Sequence, residues 1–252
     1  MFEIINIRLK HGYQAIHDIR KATIHRQFRG LPILDESKCQ SGCESCAALC
    51  PTRAIQTNPL LLDMGKCIFC GDCETFCPNR CISFTPFHKL SATLRDRLLI
   101  QSKMDEKQFY ENAVQVREEI CKLFGRSLKL RQVSAGGCNG CELELNACGN
   151  VNFDMERFGI EFVASPRHAD GIVITGPISE NMAQALQDTY NAVPEPKIII
   201  AAGTCAISGG IFADSPALKR DFLNSFPVDL YIPGCPVHPL TVINGILDFC
   251  GR

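Results

Sequence analysis

The sequence predicts an α/β protein in two unequal parts: a short cysteine-dense unit, then a mostly parallel sheet with helices on both faces. Three observations predict it. Sixteen cysteines occur in 252 residues, nine of them between positions 37 and 87. From residue 128 onward, short apolar runs alternate with helix-like stretches, the pattern of a sheet buried on both sides. Hydrophobic residues make up 46% of the chain, enough for a globular core and too many for a disordered one.

Composition also excludes classes of function. The formal net charge is −1, so no global field selects nucleic acid as a partner. Disulfide scaffolds are usually small and lack a full core, whereas this chain has a well-stocked second half. Closely spaced cysteines in such a chain point to metal in a reducing compartment. Residues 1–6 lack the basic and apolar regions of a secretory signal. No stretch approaches the about 20 apolar residues of a membrane span; the run Lys197 to Ala202 is far shorter. A cytoplasmic protein, or one peripheral to a membrane, is expected.

Four regions follow in order. Residues 1–36 form a basic arm, with six Lys or Arg and one acid, Asp18, between Arg8 and Arg29. Tyr13, Ile16, Ile19 and Thr23 fall near one face of a predicted helix. It reads as a solvated helix on its own domain or as a peripheral helix on a membrane or membrane-embedded partner. Residues 37–87 carry the nine cysteines and little else for a core, so metal is expected to drive their folding. Residues 88–127 read as a helical linker. Phe109, Ala113, Val116, Ile120 and Leu123 recur at spacings of four and three, with Asp105 and Glu106 as start and Gly125 as stop. Residues 128–252 hold strand candidates at 128–134, 160–164, 170–175, 197–202 and 228–232. Helix candidates lie at 179–193 and 238–249, with weaker ones near 142–149 and 215–225.

The cysteine spacing carries the chemistry. The first set is Cys39-x3-Cys43-x2-Cys46-x3-Cys50-Pro51, and the second is Cys67-x2-Cys70-x2-Cys73-x3-Cys77-Pro78. The second matches the bacterial ferredoxin run, in which three close thiolates wrap one [4Fe–4S] cluster and the fourth, before proline, ligates the other. Cys39, Cys43, Cys46 and Cys77 are therefore assigned to one cluster, and Cys67, Cys70, Cys73 and Cys50 to a second. Zinc sites prefer separated CxxC or Cys/His pairs and fit this spacing poorly. The first set departs by one extra residue, in Gln40-Ser41-Gly42, and Gly42 is the residue suited to loop it out. Cys81 then reads as a small buried hydrophobe.

A third set is distributed. Gly136-Gly137-Cys138-Asn139-Gly140-Cys141, Gly203-Thr204-Cys205 and Pro233-Gly234-Cys235-Pro236 each follow a strand candidate. In a parallel sheet those loops share one edge, where ligands bind. Four thiolates can converge there, with glycines admitting close backbone approach. Isolated structural cysteines in ordinary turns are the plainer alternative.

Residues 1–100, through Phe28-Arg29-Gly30 and Lys66-Cys67-Ile68-Phe69-Cys70-Gly71, resemble two-cluster ferredoxin subunits of respiratory complex I and formate hydrogenlyase. Residues 128–250, through Ser165-Pro166-Arg167-His168-Ala169-Asp170, Gly203-Thr204-Cys205-Ala206 and Pro233-Gly234-Cys235-Pro236, resemble the [NiFe]-hydrogenase small subunit and its complex I relative, the 20 kDa subunit. The complex I protein has adjacent cysteines in its first loop. Cys138-Asn139-Gly140-Cys141 instead resembles group 4, membrane-bound, energy-converting hydrogenases. Where related proteins often carry a further cysteine, this chain has Ala135.

The double resemblance implies a fusion: a bacterial-ferredoxin-like 2[4Fe–4S] domain followed by a flavodoxin-like, mostly parallel sheet domain. It implies three [4Fe–4S] clusters, the third or proximal one on Cys138, Cys141, Cys205 and Cys235. A family [NiFe] centre needs two CxxC pairs, which the leftover Cys81, Cys121, Cys148 and Cys250 do not form. The implied role is thus electron transfer in a membrane-bound hydrogenase complex, peripheral on the inner face of the cell membrane. The implied partners are a [NiFe]-hydrogenase-like large subunit, a membrane arm, and a donor subunit or ferredoxin. A quinone- or sulfur-reducing relative, and a cluster-bearing sensor without catalysis, are the alternatives. Glu144, Arg167 and His168 are candidates for proton coupling or cluster tuning, against the plain readings of a solvent-facing helix acid and a surface turn.

Overall fold

The computed structural model describes residues 2–116 and 118–252. Met1, the first residue of the basic arm, and Arg117, inside the predicted linker helix, lie outside the described residues. The chain opens with helix α1 (Phe2–His11), which Gly12 closes in the left-handed conformation at φ +64. The predicted helical face of Tyr13, Ile16, Ile19 and Thr23 is not helical: beyond Gly12 the chain runs irregularly to β1 (Pro32–Leu34). Ile19 is instead a plug in the core of the second half. Beside it Arg20 pairs with Asp248 at 2.6 Å, pinning the arm to the far end of the chain.

The cysteine-dense half contains α2 (Ser45–Leu49), β2 (Ile55–Thr57), β3 (Leu60–Asp63), α3 (Asp72–Thr75) and β4 (Ile82–Phe84). Strand β1 pairs antiparallel with β4, and β2, β3 and β5 (Leu99–Gln101) form an antiparallel sheet in that order. This half has more core than its composition predicts. Leu60, Leu62, Met64 and Ile82 are buried, and Leu31, Leu34, Leu90, Leu98 and Ile100 join them from outside the 37–87 segment. Arg95 locks the arrangement through two hydrogen bonds to Asp63, at 2.8 and 2.6 Å.

The 88–127 segment is helical only in part, because β5 belongs to the sheet just described. Helix α4 (Glu106–Ala113) starts as predicted, with Asp105 and Gln108 closing a capping box. Val114 then turns extended, and a second helix, α5 (Glu118–Phe124), ends before Gly125. Phe109, Ala113 and Ile120 are buried; Val116 and Leu123 are exposed.

The second half contains β6 (Leu128–Ser134), α6 (Gly140–Ala147), β7 (Ile160–Phe162), β8 (Gly171–Thr175), α7 (Glu180–Ala192), β9 (Ile198–Ala202), α8 (Thr204–Ser208), α9 (Asp221–Ser225), β10 (Leu230–Ile232) and α10 (Pro239–Phe249). Its five strands are all parallel, in the order β10-β9-β8-β6-β7. Alternation divides each strand between two cores. Ile172, Ile174, Ile199 and Ala201 join one apolar cluster, which continues into the cysteine-dense half. Val173, Ile198, Ile200 and Ala202 face the other, under α10 and Leu145 of α6. The halves also meet through a bridge between Ala92 and Tyr231 and a hydrogen bond from Ser91 to the Thr241 carbonyl. No helix among the described residues is long and apolar enough to cross a membrane.

Candidate iron–sulfur sites

Cys39 follows a short 3-10 turn, Glu36–Lys38, and takes an extended conformation. The extra residue before Cys43 is absorbed by a turn in which Gly42 adopts φ +78, with open space where a Cβ would stand. Cys46 lies in α2, and Cys77 follows α3. Cys46 lies close enough to Cys39 and Cys77 for their charges to oppose one another, and Cys43 likewise feels Cys77. The backbone N–H and hydroxyl of Ser45 hold the Cys43 thiol below its usual range, while burial pushes Cys46 up. At Cys77 burial opposes ionisation, but the backbone N–H groups of Cys81, Asn79 and Arg80 outweigh it and lower the thiol. Cys81, expected to be a buried small side chain, is buried, and its N–H reaches Cys77 Sγ at 3.4 Å.

Cys50, Cys67, Cys70 and Cys73 line one small cavity. Cys50 arrives there because α2 ends at it in an extended conformation. The loop from Cys67 wraps the cavity by means of two left-handed residues, Phe69 at φ 55 and Gly71 at φ 84. Backbone N–H groups point at sulfur: Phe69 N–H donates to Cys67 Sγ at 3.3 Å and Ala54 N–H to Cys50 Sγ at 3.2 Å. Burial, reinforced by the neighbouring thiols, pushes Cys67 and Cys73 up to about 12. Cys73 also feels Cys46, so this quartet borders the first.

The third group forms at the C-terminal edge of the parallel sheet. Cys138 and Cys141 follow β6, Cys205 is the second residue of α8 after β9, and Cys235 follows β10. Cys141 feels Cys205 and Cys235, while Cys205 feels Cys235 and Cys138. Burial pushes Cys141 to about 12 and Cys205 to about 11. Cys138 and Cys235 are exposed, so the group opens to the surface on one side. Glycine is required at 203: at φ +93, ψ 152, a Cβ there would stand 2.5 Å from Cys141 Sγ.

The cavity walled by Cys50, Cys67, Cys70 and Cys73, with N–H donors aimed at the sulfurs of Cys50, Cys67 and Cys77, fits a cubane cluster, whose ligands surround a body larger than one ion. Among the described residues, no three His, Cys, Asp or Glu side chains close tightly enough to hold a single metal ion. Gly203→Ala is expected to cost about 1–3 kcal/mol from its backbone conformation alone. Gly42→Ala, with open space around it, is expected to cost less; urea unfolding of both variants checks this.

The other candidates separate. Glu144 lines a cavity of about 300 Å³ with Arg29, Phe69, Cys235 and His238, and burial raises its carboxyl. Arg167 and His168 are exposed on a 3-10 turn before β8, at the edge opposite the cysteine loops. Neighbouring Asp170 bonds to Lys129 at the start of β6, whereas Cys138 lies beyond its end. The structure does not bring this pair to the cysteines.

Nothing in the sequence assigned a site role to three further residues. Glu142 is buried and accepts hydrogen bonds from the Ser134 hydroxyl at 2.6 Å and the Thr175 hydroxyl at 2.7 Å. Arg220 donates to the carbonyls of Pro177, Cys205 and Ala206 at 2.8, 3.0 and 2.8 Å, placing a fixed positive charge behind Cys205. Arg29 donates to the Phe69 carbonyl at 2.6 Å, beside the second quartet.

Residues 138–249 match the family described as NADH ubiquinone oxidoreductase, 20 Kd subunit, and residues 60–83 match the 4Fe-4S binding domain. A probable membrane-bound hydrogenase subunit, mbhJ, of Pyrococcus furiosus is 39% identical over 129 residues, 51% of this chain and 77% of that protein. An NADH-quinone oxidoreductase subunit of Heliobacterium modesticaldum is 42% identical over 151 residues, 59% of this chain and 85% of that protein. Formate hydrogenlyase subunit 7 of Escherichia coli is 41% identical over 135 residues, 54% of this chain and 53% of that protein.

Proposed function

The chain belongs to the family of the NADH ubiquinone oxidoreductase 20 Kd subunit, and from that premise we propose that it is the iron–sulfur electron-transfer subunit of a membrane-bound [NiFe]-hydrogenase complex. In this reading a two-cluster ferredoxin domain (37–87) is fused to a hydrogenase small-subunit-like domain (128–252), with the basic arm (1–36) before them and residues 88–127 between. The strand order, β7-β6-β8-β9-β10 in reverse, supports a flavodoxin-like second domain. The observation that supports the proposal most is that cysteines from separated stretches come together: Cys50 lines one cavity with Cys67, Cys70 and Cys73, and Cys141, Cys205 and Cys235 are close neighbours at the sheet edge.

Three bound [4Fe–4S] clusters supply one-electron carriers at these quartets. The chain's own residues do the rest. Thiolates of Cys39, Cys43, Cys46 and Cys77, of Cys67, Cys70, Cys73 and Cys50, and of Cys138, Cys141, Cys205 and Cys235 hold them. N–H donors at Cys50, Cys67 and Cys77 stabilise negative charge on sulfur. Glu144, in its cavity beside Cys235, holds a proton more firmly than an exposed acid does. The exposed side at Cys138 and Cys235 faces the catalytic large subunit. Helix α1 leaves Phe2, Ile4, Ile5, Ile7 and Leu9 at least half exposed. That supports peripheral docking at the inner face of the membrane, against the membrane arm of the complex.

A complex I-like quinone-reducing role is the second reading, favoured by the match to the NADH-quinone oxidoreductase relative. Two CxxC pairs in the co-purifying large subunit support the hydrogenase reading; their absence removes it. Anaerobically purified chain is expected to hold about twelve irons and show low-potential signals in electron paramagnetic resonance. Stoichiometric zinc without iron rejects both readings.

A further inference from the structure

The second and third quartets come from different halves of the chain, and one side chain joins their loops. Thr204 is 1% exposed, and its hydroxyl oxygen lies 2.7 Å from the Cys67 carbonyl and 3.2 Å from the Gly234 carbonyl. A hydroxyl has one proton to give. The Gly234 carbonyl already receives the Thr204 N–H at 2.9 Å, so the shorter contact, to Cys67, takes the hydroxyl proton. Cys67 belongs to the second quartet. Thr204 immediately precedes Cys205, and Gly234 immediately precedes Cys235, both of the third. One hydroxyl therefore ties three ligand loops across 137 residues of sequence.

We propose that the Thr204 hydroxyl is the electronic bridge between the two halves, carrying single-electron exchange between the second and third quartets. The proposal rests on the reading that those quartets hold redox clusters. Electronic coupling falls off more gently along covalent bonds and short hydrogen bonds than across a van der Waals gap. The run Cys67 carbonyl, Thr204 hydroxyl, Thr204 backbone, Cys205 holds one short hydrogen bond and no gap. The transfer moves one electron from the reduced second centre to the oxidised third; no proton or group moves with it, since the hydroxyl proton stays between its two oxygens. The first quartet borders the second through Cys46 and Cys73, which makes the second the relay. A mere interface contact is the competing account. A buried, hydrogen-bonded hydroxyl of this kind stabilises the fold whatever passes through it.

Three forms of the full chain separate the accounts: wild type, Thr204→Val and Thr204→Ser. Iron content and resonance spectra of the wild type come first; fewer than three centres there sinks the underlying reading and with it the bridge. With three centres present, the chain is photoreduced with less than one electron equivalent, and rapid freeze-quench spectra follow the third centre. Thr204→Val is expected to slow its reduction several-fold, with all three spectra and midpoint potentials unchanged. Thr204→Ser is expected to restore the wild-type rate. A wild-type rate in Thr204→Val overturns the proposal, as does equal slowing in Thr204→Ser, which would assign the effect to packing of the methyl group. If Thr204→Val loses a centre, Thr204→Ala reads the same rate with the same two outcomes.

Discussion

Replacing Cys77 by serine is expected to abolish the centre held by Cys39, Cys43 and Cys46 and to spare the one held by its sequence neighbours Cys67, Cys70 and Cys73. The expectation inverts what proximity in sequence suggests. It follows from where the two chain segments end. Helix α3 stops after Thr75, and Cys77 is carried towards the first quartet, where Cys43 and Cys46 feel its charge. Cys50 makes the reciprocal move and lines the cavity of Cys67, Cys70 and Cys73. Cys50→Ser is therefore the mirror experiment. Each variant is expected to lose about four irons of about twelve, with a different resonance signal missing in each. Loss of the same signal from both variants would refute the crossing.

Cys205→Ser is expected to remove the third centre and leave the other two signals unchanged. Cys205 is the second residue of α8 at the sheet edge, and its carbonyl is held by Arg220. The sheet beneath does not need the ligand to stay folded, because Ile172, Ile174, Ile199 and Ala201 are anchored in the apolar cluster of the first half. The first half in turn draws Leu31, Leu34, Leu90, Leu98 and Ile100 into that cluster, so its two quartets keep their geometry. Iron analysis and low-temperature spectra of the purified variant check this. Collapse of all three signals together would mean that the halves cannot form their sites separately.

What the sequence made legible was local. Both cysteine runs are contiguous, so their spacing alone groups them. The apolar runs at 171–175 and 198–202 announce buried strands without help from any partner. What stayed hidden depends on residues far apart. The strand Leu99–Gln101 is three residues long, and its partner Leu61 lies some forty positions earlier. The helical spacing of Tyr13 to Thr23 is real, but Gly12 ends the helix before that face begins, and Ile19 is drawn into the opposite core. The periodicity of Phe109 to Leu123 spans two helices, with Val114 extended between them. Near the third quartet, Glu144 stood out in sequence as an acid close to a cysteine. Glu142 is the one gripped by hydroxyls, but Thr175, one of the two, comes from another strand. Gly203-Thr204-Cys205 carried a resemblance as a motif, but nothing local shows that the threonine hydroxyl reaches Cys67, 137 residues away.

The half-open third quartet also has a consequence for biogenesis. Cys141 and Cys205 are half-buried, but Cys138 and Cys235 stand at the rim. A cluster held there would meet dissolved dioxygen at the rim formed by Cys138 and Cys235, and a companion protein covering that rim would shield it. On the proposed reading, loading followed promptly by capping would be the safe order of manufacture, and an uncapped copy in air would be expected to decay from that end first.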